Sequence, residues 1–171
     1  SFNYPPLATA GIHIKYDLDR IKRADPRLPM HPHYAFDTNV IILTLFPGIQ
    51  ENIIRNALST PGLKAVILKT YGSGNAPQKP WFIKLLTEVT QRGIVIVNIS
   101  QCPTGTVEMA RYETGIHLLD AGVISGYDAT VECVLTKLMF LLGHDLTPQE
   151  IRNEMSRSLA GEITRPEMPT R

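Results

Sequence analysis

Apolar residues along the chain fall into two kinds of run, and the two kinds alternate. The continuous β-branched and apolar stretch at residues 40–46 predicts a strand that is covered on both faces, because a half-exposed strand would alternate with polar residues. The stretches at residues 65–68 and 94–99 predict two further strands. Between these stretches, apolar residues recur three and four positions apart, which predicts helices. The stretch at 40–46 is expected to be a central strand of a parallel sheet.

Each predicted helix ends at residues that commonly terminate helices. The first helix spans residues 49–58 and stops at Pro61-Gly62, and the second carries an apolar stripe over residues 81–89 and stops at Gly93. A shorter helix over residues 113–119 leads towards the next strand.

The last third of the chain continues the alternation. A short strand at Val123-Ile124 precedes an amphipathic helix over residues 131–142 that ends at Gly143. Thr147 and Glu150 stand three positions apart, as in a capping box, with proline in the first turn, so a last helix is predicted to begin there.

Strands separated by crossover helices form a parallel sheet with helices on both of its faces. The predicted fold class is therefore α/β: a three-layer, flavodoxin-like domain with a four-stranded, mainly parallel sheet. Residues 37–171 are assigned to this domain. Residues 1–36 are rich in proline and in local charges and are interpreted as an interdomain linker, in which only a short strand around residues 12–14 is plausible.

Composition and charge exclude several classes of function. The 171 residues carry 17 Lys and Arg against 16 Asp and Glu, a net charge of +1, and no run of like charges indicates a nucleic-acid groove or an anionic-membrane patch. The apolar stretches are shorter than the roughly 20 residues of a membrane helix. Two cysteines without metal-ligand spacing fit a reduced, cytoplasmic compartment.

Three loops follow the carboxyl ends of predicted strands, at residues 70–77, 100–106 and 125–130, where ligands bind in open α/β sheets. The first loop contains Gly72-Ser73-Gly74-Asn75 but lacks the third glycine of a dinucleotide fingerprint and the Gly-Lys-Ser/Thr of a P-loop, which disfavours a nucleotide. A glycine-bent turn in which Asn75 caps its own backbone is the alternative.

The other two loops offer single reactive groups instead of a catalytic set. Cys102 as a nucleophile would need a base that the pattern does not place beside it, and a strand-end cysteine is more often a small apolar filler. Asp128 is predicted to be the N-cap of the following helix. His31 and His33 supply two ligands at most, so no metal site is predicted. With Lys69, the sheet edge suits a small zwitterion or a carboxylate.

Four separated motifs together resemble one family. Leu68-Lys69-Thr70-Tyr71-Gly72-Ser73-Gly74-Asn75-Ala76-Pro77 is followed by residues 97–102 (VNISQC), 112–115 (YETG) and 122–126 (GVISG). In order and spacing they resemble the C-terminal domain of a type I, cytosolic bacterial L-asparaginase over nearly the whole chain. Such enzymes hydrolyse L-asparagine to L-aspartate and ammonia without a cofactor. Their threonine nucleophile belongs to an N-terminal catalytic domain, whose motifs are absent from this sequence, so the resemblance implies no catalytic residue here.

The resemblance also implies roles for four residues. Asn75 is expected to reach the active site of a neighbouring subunit of a homodimer or homotetramer, and Tyr112 lies near the position where periplasmic relatives carry a glutamate for the substrate ammonium. Lys69, Asn75 and Cys102 correspond to an allosteric asparagine pocket. Lys69 replaces the expected arginine and so lacks its bidentate fork.

Two alternatives remain open on the sequence. One is a non-catalytic domain with the same fold that senses an amino acid. The other keeps the amidohydrolase but changes its substrate, since related two-domain proteins act on glutamine, on glutaminyl groups of charged tRNA, or carry a lysophospholipase name. All of these functions require that the three strand-end loops share one concave edge.

Overall fold

The computed structural model describes residues 5–21, 23, 25–111 and 113–164. In chain order its elements are β1 (Ala8–Ala10), β2 (Ile14–Tyr16), β3 (Val40–Thr44), α1 (Glu51–Leu58), β4 (Ala65–Thr70), α2 (Pro80–Gln91), β5 (Val95–Ser100), a 3₁₀ turn (Met109–Arg111), α3 (Glu113–Asp120), β6 (Ile124–Ser125), α4 (Val131–Leu142) and α5 (Pro148–Met155). No helix in the described ranges is long and apolar enough to cross a membrane.

The main sheet has four parallel strands in the order β3-β4-β5-β6, which confirms the predicted fold class. The strand order follows the chain order, so every crossover steps in the same direction. Right-handed crossovers of this kind fall on one face of the sheet. Helices α1, α2 and α3 accordingly cover one face, and the other face is covered by α4 and α5, which follow the last strand.

Alternate residues of the strands pack into the two layers, as the two-residue period of a strand requires. On one face Val66, Leu68 and Ile96 meet Phe82 of α2, and all four side chains are fully buried. The second core, on the other face, comprises Ala65, Ile67, Val95, Val97, Ile99, Val134, Leu138, Leu141, Ile151 and Met155. The central strands β4 and β5 are therefore covered on both faces.

The prediction that the first apolar run is a central strand is wrong. Among the described strands β3 pairs with β4 alone, and Ile42 at its middle is 46% exposed. The run is apolar because Leu43 and Leu45 reach the core on one face. Because the strands are ordered in the sheet as they are in the chain, the first strand of the sheet lies at its edge. The apolar composition of a strand does not indicate its position in the strand order.

Two N-cap residues were predicted, one correctly. Thr147 and Glu150 form the predicted capping box: the Thr147 hydroxyl accepts from the Glu150 N–H (3.3 Å), and the Glu150 carboxylate accepts from the Thr147 N–H (2.7 Å). Asp128, in contrast, is not the N-cap of α4. That helix begins at Val131, and the Thr130 hydroxyl caps it by accepting from the Cys133 N–H (3.3 Å).

The described residues among the first 36 form two short strands instead of one. Strands β1 and β2 pair antiparallel, and Ile12, at the start of the expected strand, lies fully exposed in the turn between them. Only Ile14 of the expected strand belongs to a strand.

Candidate functional site

The loops that follow β4, β5 and β6 meet at the carboxyl edge of the sheet and are tied to one another. The Ser100 hydroxyl donates to the Gly72 carbonyl (2.5 Å), which joins the first loop to the second. The backbone N–H of Val107 donates to the Tyr127 carbonyl (3.0 Å), and the Ser125 hydroxyl donates to the Val107 carbonyl (2.9 Å). The shared edge that every candidate function requires is therefore present.

A buried polar pair under the first loop sets its position. Asn98, in the middle of the sheet, is fully buried, and its side-chain oxygen accepts from the Thr70 hydroxyl (2.7 Å). Its side-chain NH₂ donates to the Gly74 carbonyl (3.3 Å). A buried amide needs such partners because an unpaired polar group in a core is costly. The pair therefore anchors the glycine loop to the sheet.

The first loop is a glycine-bent turn. The Tyr71 carbonyl accepts from the N–H groups of Gly74 (3.0 Å) and Asn75 (2.8 Å), and the Tyr71 N–H donates to the Asn75 carbonyl (2.9 Å). Gly74 has φ +111°, and a Cβ there would stand 2.9 Å from a methyl group of Val107, so glycine is required. The Asn75 side chain does not cap its own turn: its oxygen accepts from the Thr114 hydroxyl (2.8 Å) of α3.

A pocket of about 470 Å³ lies between the second loop and the start of α4. We call it the Lys69 pocket. Its lining includes Lys69, Ser100, Cys102, Thr130 and Glu132, and contains no histidine. Among the described lining residues, therefore, no histidine is placed to serve as the base of a Cys102 nucleophile. Cys102 itself is exposed.

The Lys69 pocket carries one cation and one anion. Neither the Lys69 ammonium nor the Glu132 carboxylate makes an ion pair with another described residue. Opposite charges on two walls of one pocket complement an amino acid zwitterion, whose carboxylate would face Lys69 and whose ammonium would face Glu132. The sequence analysis did not predict Glu132 as a site residue. Its position two residues after the Thr130 N-cap does indicate that it lies at the start of the helix.

The structure brings together some of the residues predicted for the site and not others. Lys69 and Cys102 line the same pocket. Asn75 is not among the residues that line it; its side chain points to Thr114 instead, beside a second groove of about 510 Å³ that Thr114, Lys79 and Lys84 line. Tyr112 lies outside the described residues, so its predicted role remains a prediction.

Histidines and acidic residues form no metal centre in the described part of the chain, where no group of three or more His, Cys, Asp or Glu side chains is placed to hold an ion. His33 lies far in sequence from the strand-end loops and pairs with His144, with 3.1 Å between ring nitrogens.

Fold and site define a three-layer α/β domain with a polar loop cluster at the carboxyl edge of a parallel sheet. Residues 39–155 match the family model described as the glutaminase/asparaginase C-terminal domain. Since that match spans well over half of the sequence, the chain belongs to the glutaminase/asparaginase C-terminal domain family.

Individual relatives agree with this assignment. The chain is 45% identical over 163 residues to L-asparaginase 1 of Escherichia coli K12, covering 95% of this chain and 47% of that protein. It is 38% identical over 170 residues to the 60 kDa lysophospholipase of Homo sapiens, covering 99% of this chain and 29% of that protein. The crystal structure of L-asparaginase I from Vibrio cholerae superposes with a TM-score of 0.88 at 40% identity, over 95% of this chain and 49% of that one. The chain thus spans about half the length of these two L-asparaginases.

Proposed function

We propose that this chain is the C-terminal domain of a cytoplasmic L-asparaginase, an amidohydrolase that converts L-asparagine and water to L-aspartate and ammonia. In this proposal the threonine nucleophile is supplied by an N-terminal catalytic domain. The domain described here completes the substrate site with Asn75 and Tyr112, provides contacts in a homodimer or homotetramer, and uses no cofactor.

The observation that supports the proposal is that the chain belongs to the glutaminase/asparaginase C-terminal domain family and spans only about half of an L-asparaginase. The chain shares 45% of aligned residues with an L-asparaginase but spans 47% of it. Its loop cluster lies open at one sheet edge, where a second domain or subunit can be added. The Asn75 side-chain oxygen accepts from the Thr114 hydroxyl (2.8 Å), and no described residue accepts from its NH₂ group, which can donate to a substrate carboxylate.

Ammonia release by the isolated chain tests this division of labour. The 171-residue chain is expected to release no ammonia from L-asparagine, whereas the full-length protein encoded by the complete gene releases it. The missing nucleophile is the reason, since a polar edge alone does not form an acyl intermediate. Ammonia release that co-purifies with the isolated chain, and is absent from a mock purification, would contradict the proposal. An inactive full-length protein would favour the amino acid sensor.

We further propose that the Lys69 pocket binds L-asparagine as a regulatory ligand. Its support is that the Lys69 ammonium and the Glu132 carboxylate line the same pocket as Cys102 and that neither of them forms an ion pair with another described residue. The pocket is separate from the Asn75 side chain, so binding there does not require the catalytic domain.

Calorimetry on the isolated chain tests this binding. Lys69→Met and Glu132→Gln are each expected to weaken binding of L-asparagine by about 10-fold or more, because one charge-assisted hydrogen bond contributes about 1.5–3 kcal/mol. Succinamate, which lacks the α-amino group, should bind wild type and Glu132→Gln equally. Lys15→Met, a lysine of β2 outside the pocket, is the control and should bind as wild type. Unchanged affinity in Lys69→Met would refute the assignment.

A further inference from the structure

The outer strand β3 has one hydrogen-bonding edge that no other described strand occupies, since among the described strands it pairs with β4 alone. Its odd-numbered residues face β4. The Leu45 N–H donates to the Lys69 carbonyl (3.0 Å). At the other end of the strand, the Asn39 carbonyl accepts from the Ala65 N–H (3.2 Å). Successive residues of a strand direct their backbone groups to opposite edges. The residues of β3 whose N–H and C=O groups point away from the sheet are therefore Val40, Ile42 and Thr44.

Most of these outward-facing groups are open. The Val40 N–H already donates to the Thr38 carbonyl (2.7 Å). In the described part of the chain, no residue is hydrogen-bonded to the outward N–H and C=O groups of Ile42 and Thr44. Ile42 is 46% exposed, and Thr44 is exposed as well. A row of open donors and acceptors on an exposed strand is a template for a further strand.

The β3 edge also lacks the features that keep edge strands from pairing. Natural edge strands are protected by charged residues, proline, bulges or short length. Residues 38–46 contain no charged residue and no proline, and β3 pairs one residue with one along all five positions of its ladder with β4. The strand at the opposite edge, β6, has only two residues and is protected by its length. This difference between the two edges indicates that the β3 edge is covered in the assembled protein.

The pattern of outward-facing groups is self-complementary. Ile42 lies midway between the other two outward-facing residues, Val40 and Thr44. A second β3 strand, placed antiparallel with a two-fold axis at Ile42, therefore sets Ile42 opposite Ile42 of the second copy and Thr44 opposite Val40. The two Ile42 residues then exchange a pair of hydrogen bonds, and each Thr44 N–H meets the Val40 carbonyl of the other copy. Every outward N–H of β3 has an acceptor in this arrangement.

The charges and side chains of this edge also favour a second copy. A two-fold axis brings each residue near it close to its own duplicate, so a charged residue at the edge would be repelled. The edge is uncharged, and Asp37 just before it is paired with Lys64 (2.7 Å). Directly opposed residues place their Cβ atoms about 5 Å apart, so the two exposed Ile42 side chains would cover each other.

We propose that β3 is an interaction surface and that it pairs, antiparallel and about a two-fold axis at Ile42, with β3 of a second copy of this chain. The two four-stranded sheets then form one continuous sheet across the contact. This rests on the proposed function for the expectation of a homodimer or homotetramer, and it assigns one contact of that assembly to a particular strand. It does not depend on the asparaginase reaction.

A disulfide across the two-fold axis tests the pairing in the full-length protein. The Cα atoms of a hydrogen-bonded antiparallel pair are about 5.5 Å apart, within the range that a disulfide spans. Ile42→Cys is therefore expected to give a covalent dimer on oxidation with oxidised glutathione, seen on a non-reducing gel and lost on reduction. Ile53→Cys, on α1 and 49% exposed, is the matched control and should stay uncross-linked. The wild-type protein, oxidised in parallel, accounts for Cys102 and Cys133.

Removal of one outward N–H tests the hydrogen bonds themselves. Thr44→Pro, added to Ile42→Cys, deletes an N–H that does not pair with β4, a position at which an edge strand accepts proline. The initial rate of cross-linking is expected to fall about 10-fold or more, because each dimer loses two hydrogen bonds. Glu51→Pro in the same background is the control: proline is favoured at the first position of α1, so the rate should not change. Thermal midpoints measured by circular dichroism show that both variants are folded.

Three results would overturn the proposal: no covalent dimer from Ile42→Cys, equal cross-linking of Ile42→Cys and Ile53→Cys, or an undiminished rate in a folded Thr44→Pro variant. Ammonia release from L-asparagine, measured on the same samples, is independent of these results. A cross-linked dimer in a full-length protein without asparaginase activity would keep the strand pairing and reject the function. Asparaginase activity without cross-linking would do the reverse.

Discussion

Replacing Lys137 with methionine is expected to lower the free energy of unfolding by about 3–5 kcal/mol, because removing one partner of a buried ion pair leaves the other charge uncompensated. The side chains of Lys137 and Glu162 are 7% and 10% exposed, and their charged atoms are 2.6 Å apart. Denaturation by urea, followed by circular dichroism, measures the loss.

The ammonium of Lys137 has three acceptors. Besides Glu162, it donates to the carbonyl of Met155 (3.4 Å) and to that of Arg157. Glu162 in turn accepts from the backbone N–H groups of Leu159 (2.9 Å) and Ala160 (2.6 Å). The pair therefore fastens the segment after α5 to the middle of α4, and methionine, although similar in length, can replace none of these hydrogen bonds.

An exposed ion pair supplies the matched control. Arg55 and Glu51 lie 2.6 Å apart on α1 with side chains 47% and 42% exposed. Arg55→Met should cost less than about 1 kcal/mol, as surface pairs do. The double variant Lys137→Met with Glu162→Gln should recover part of the loss, since no unpaired charge stays buried. Equal losses in Lys137→Met and Arg55→Met would contradict the argument.

The same pair predicts a pH dependence. Burial by itself raises the pKa of Glu162, but the Leu159 N–H, the Lys137 ammonium and the N–H groups of Ala160 and of Glu162 itself outweigh burial and lower the pKa from 4.5 to about 2. A carboxyl whose pKa is lowered in the folded state stabilises it above the unfolded pKa and loses that contribution as the pH falls. The stability gap between wild type and Glu162→Gln should therefore narrow as the pH falls from 4.5 towards 2; a gap independent of pH in this range would show that the carboxylate charge contributes nothing.

Asn98→Leu is expected to reduce stability by about 1–3 kcal/mol for each buried polar group that it leaves unpaired. The groups are the Gly74 carbonyl, which accepts from the Asn98 amide (3.3 Å), and the Thr70 hydroxyl, which keeps only a long contact to the Ile99 carbonyl (3.4 Å). Loss of the anchor should also displace the glycine loop, so the NMR signal of the Asn75 side-chain amide should shift.

Thr90→Val is the matched control for the loop. The Thr90 hydroxyl is buried and donates to the Ala121 carbonyl (2.6 Å), away from the strand-end loops. This variant should lose comparable stability while the Asn75 amide signal stays in place. If Asn98→Leu left that signal unchanged as well, the buried pair would not be what positions the glycine loop.

Local signals in the sequence were sufficient for most elements. The continuous apolar run of β4 and the apolar stripe of α2 each show, within one segment, which residues are buried. The two residues of the capping box, Thr147 and Glu150, are only three positions apart. Such patterns depend on the chain's own periodicity and hydrogen bonding, so they can be identified without knowledge of the fold. The placement of the three strand-end loops at one sheet edge followed from parallel topology alone.

Long-range contacts were beyond these signals. Lys137 and Glu162 are 25 positions apart, and Asn75 and its partner Thr114 are 39 apart. The position of Glu132 in the wall of the Lys69 pocket likewise depends on how the start of α4 sits beside the second loop. The N-cap of α4 is set by the residue at which the helix begins. Because α4 begins at Val131, the cap is Thr130 and not Asp128.

The sequence by itself determined the alternation of strands and helices, the three-layer class and the family, because these follow from periodicity and from motifs within single segments. Only the tertiary structure decided that β3 is an edge strand and that Lys69 and Glu132 line one pocket. The physical reason is that the packing of whole helices and strands decides which residues become neighbours in space. The pattern of hydrophobic and polar residues indicates that a residue is buried, but it does not indicate which element covers it.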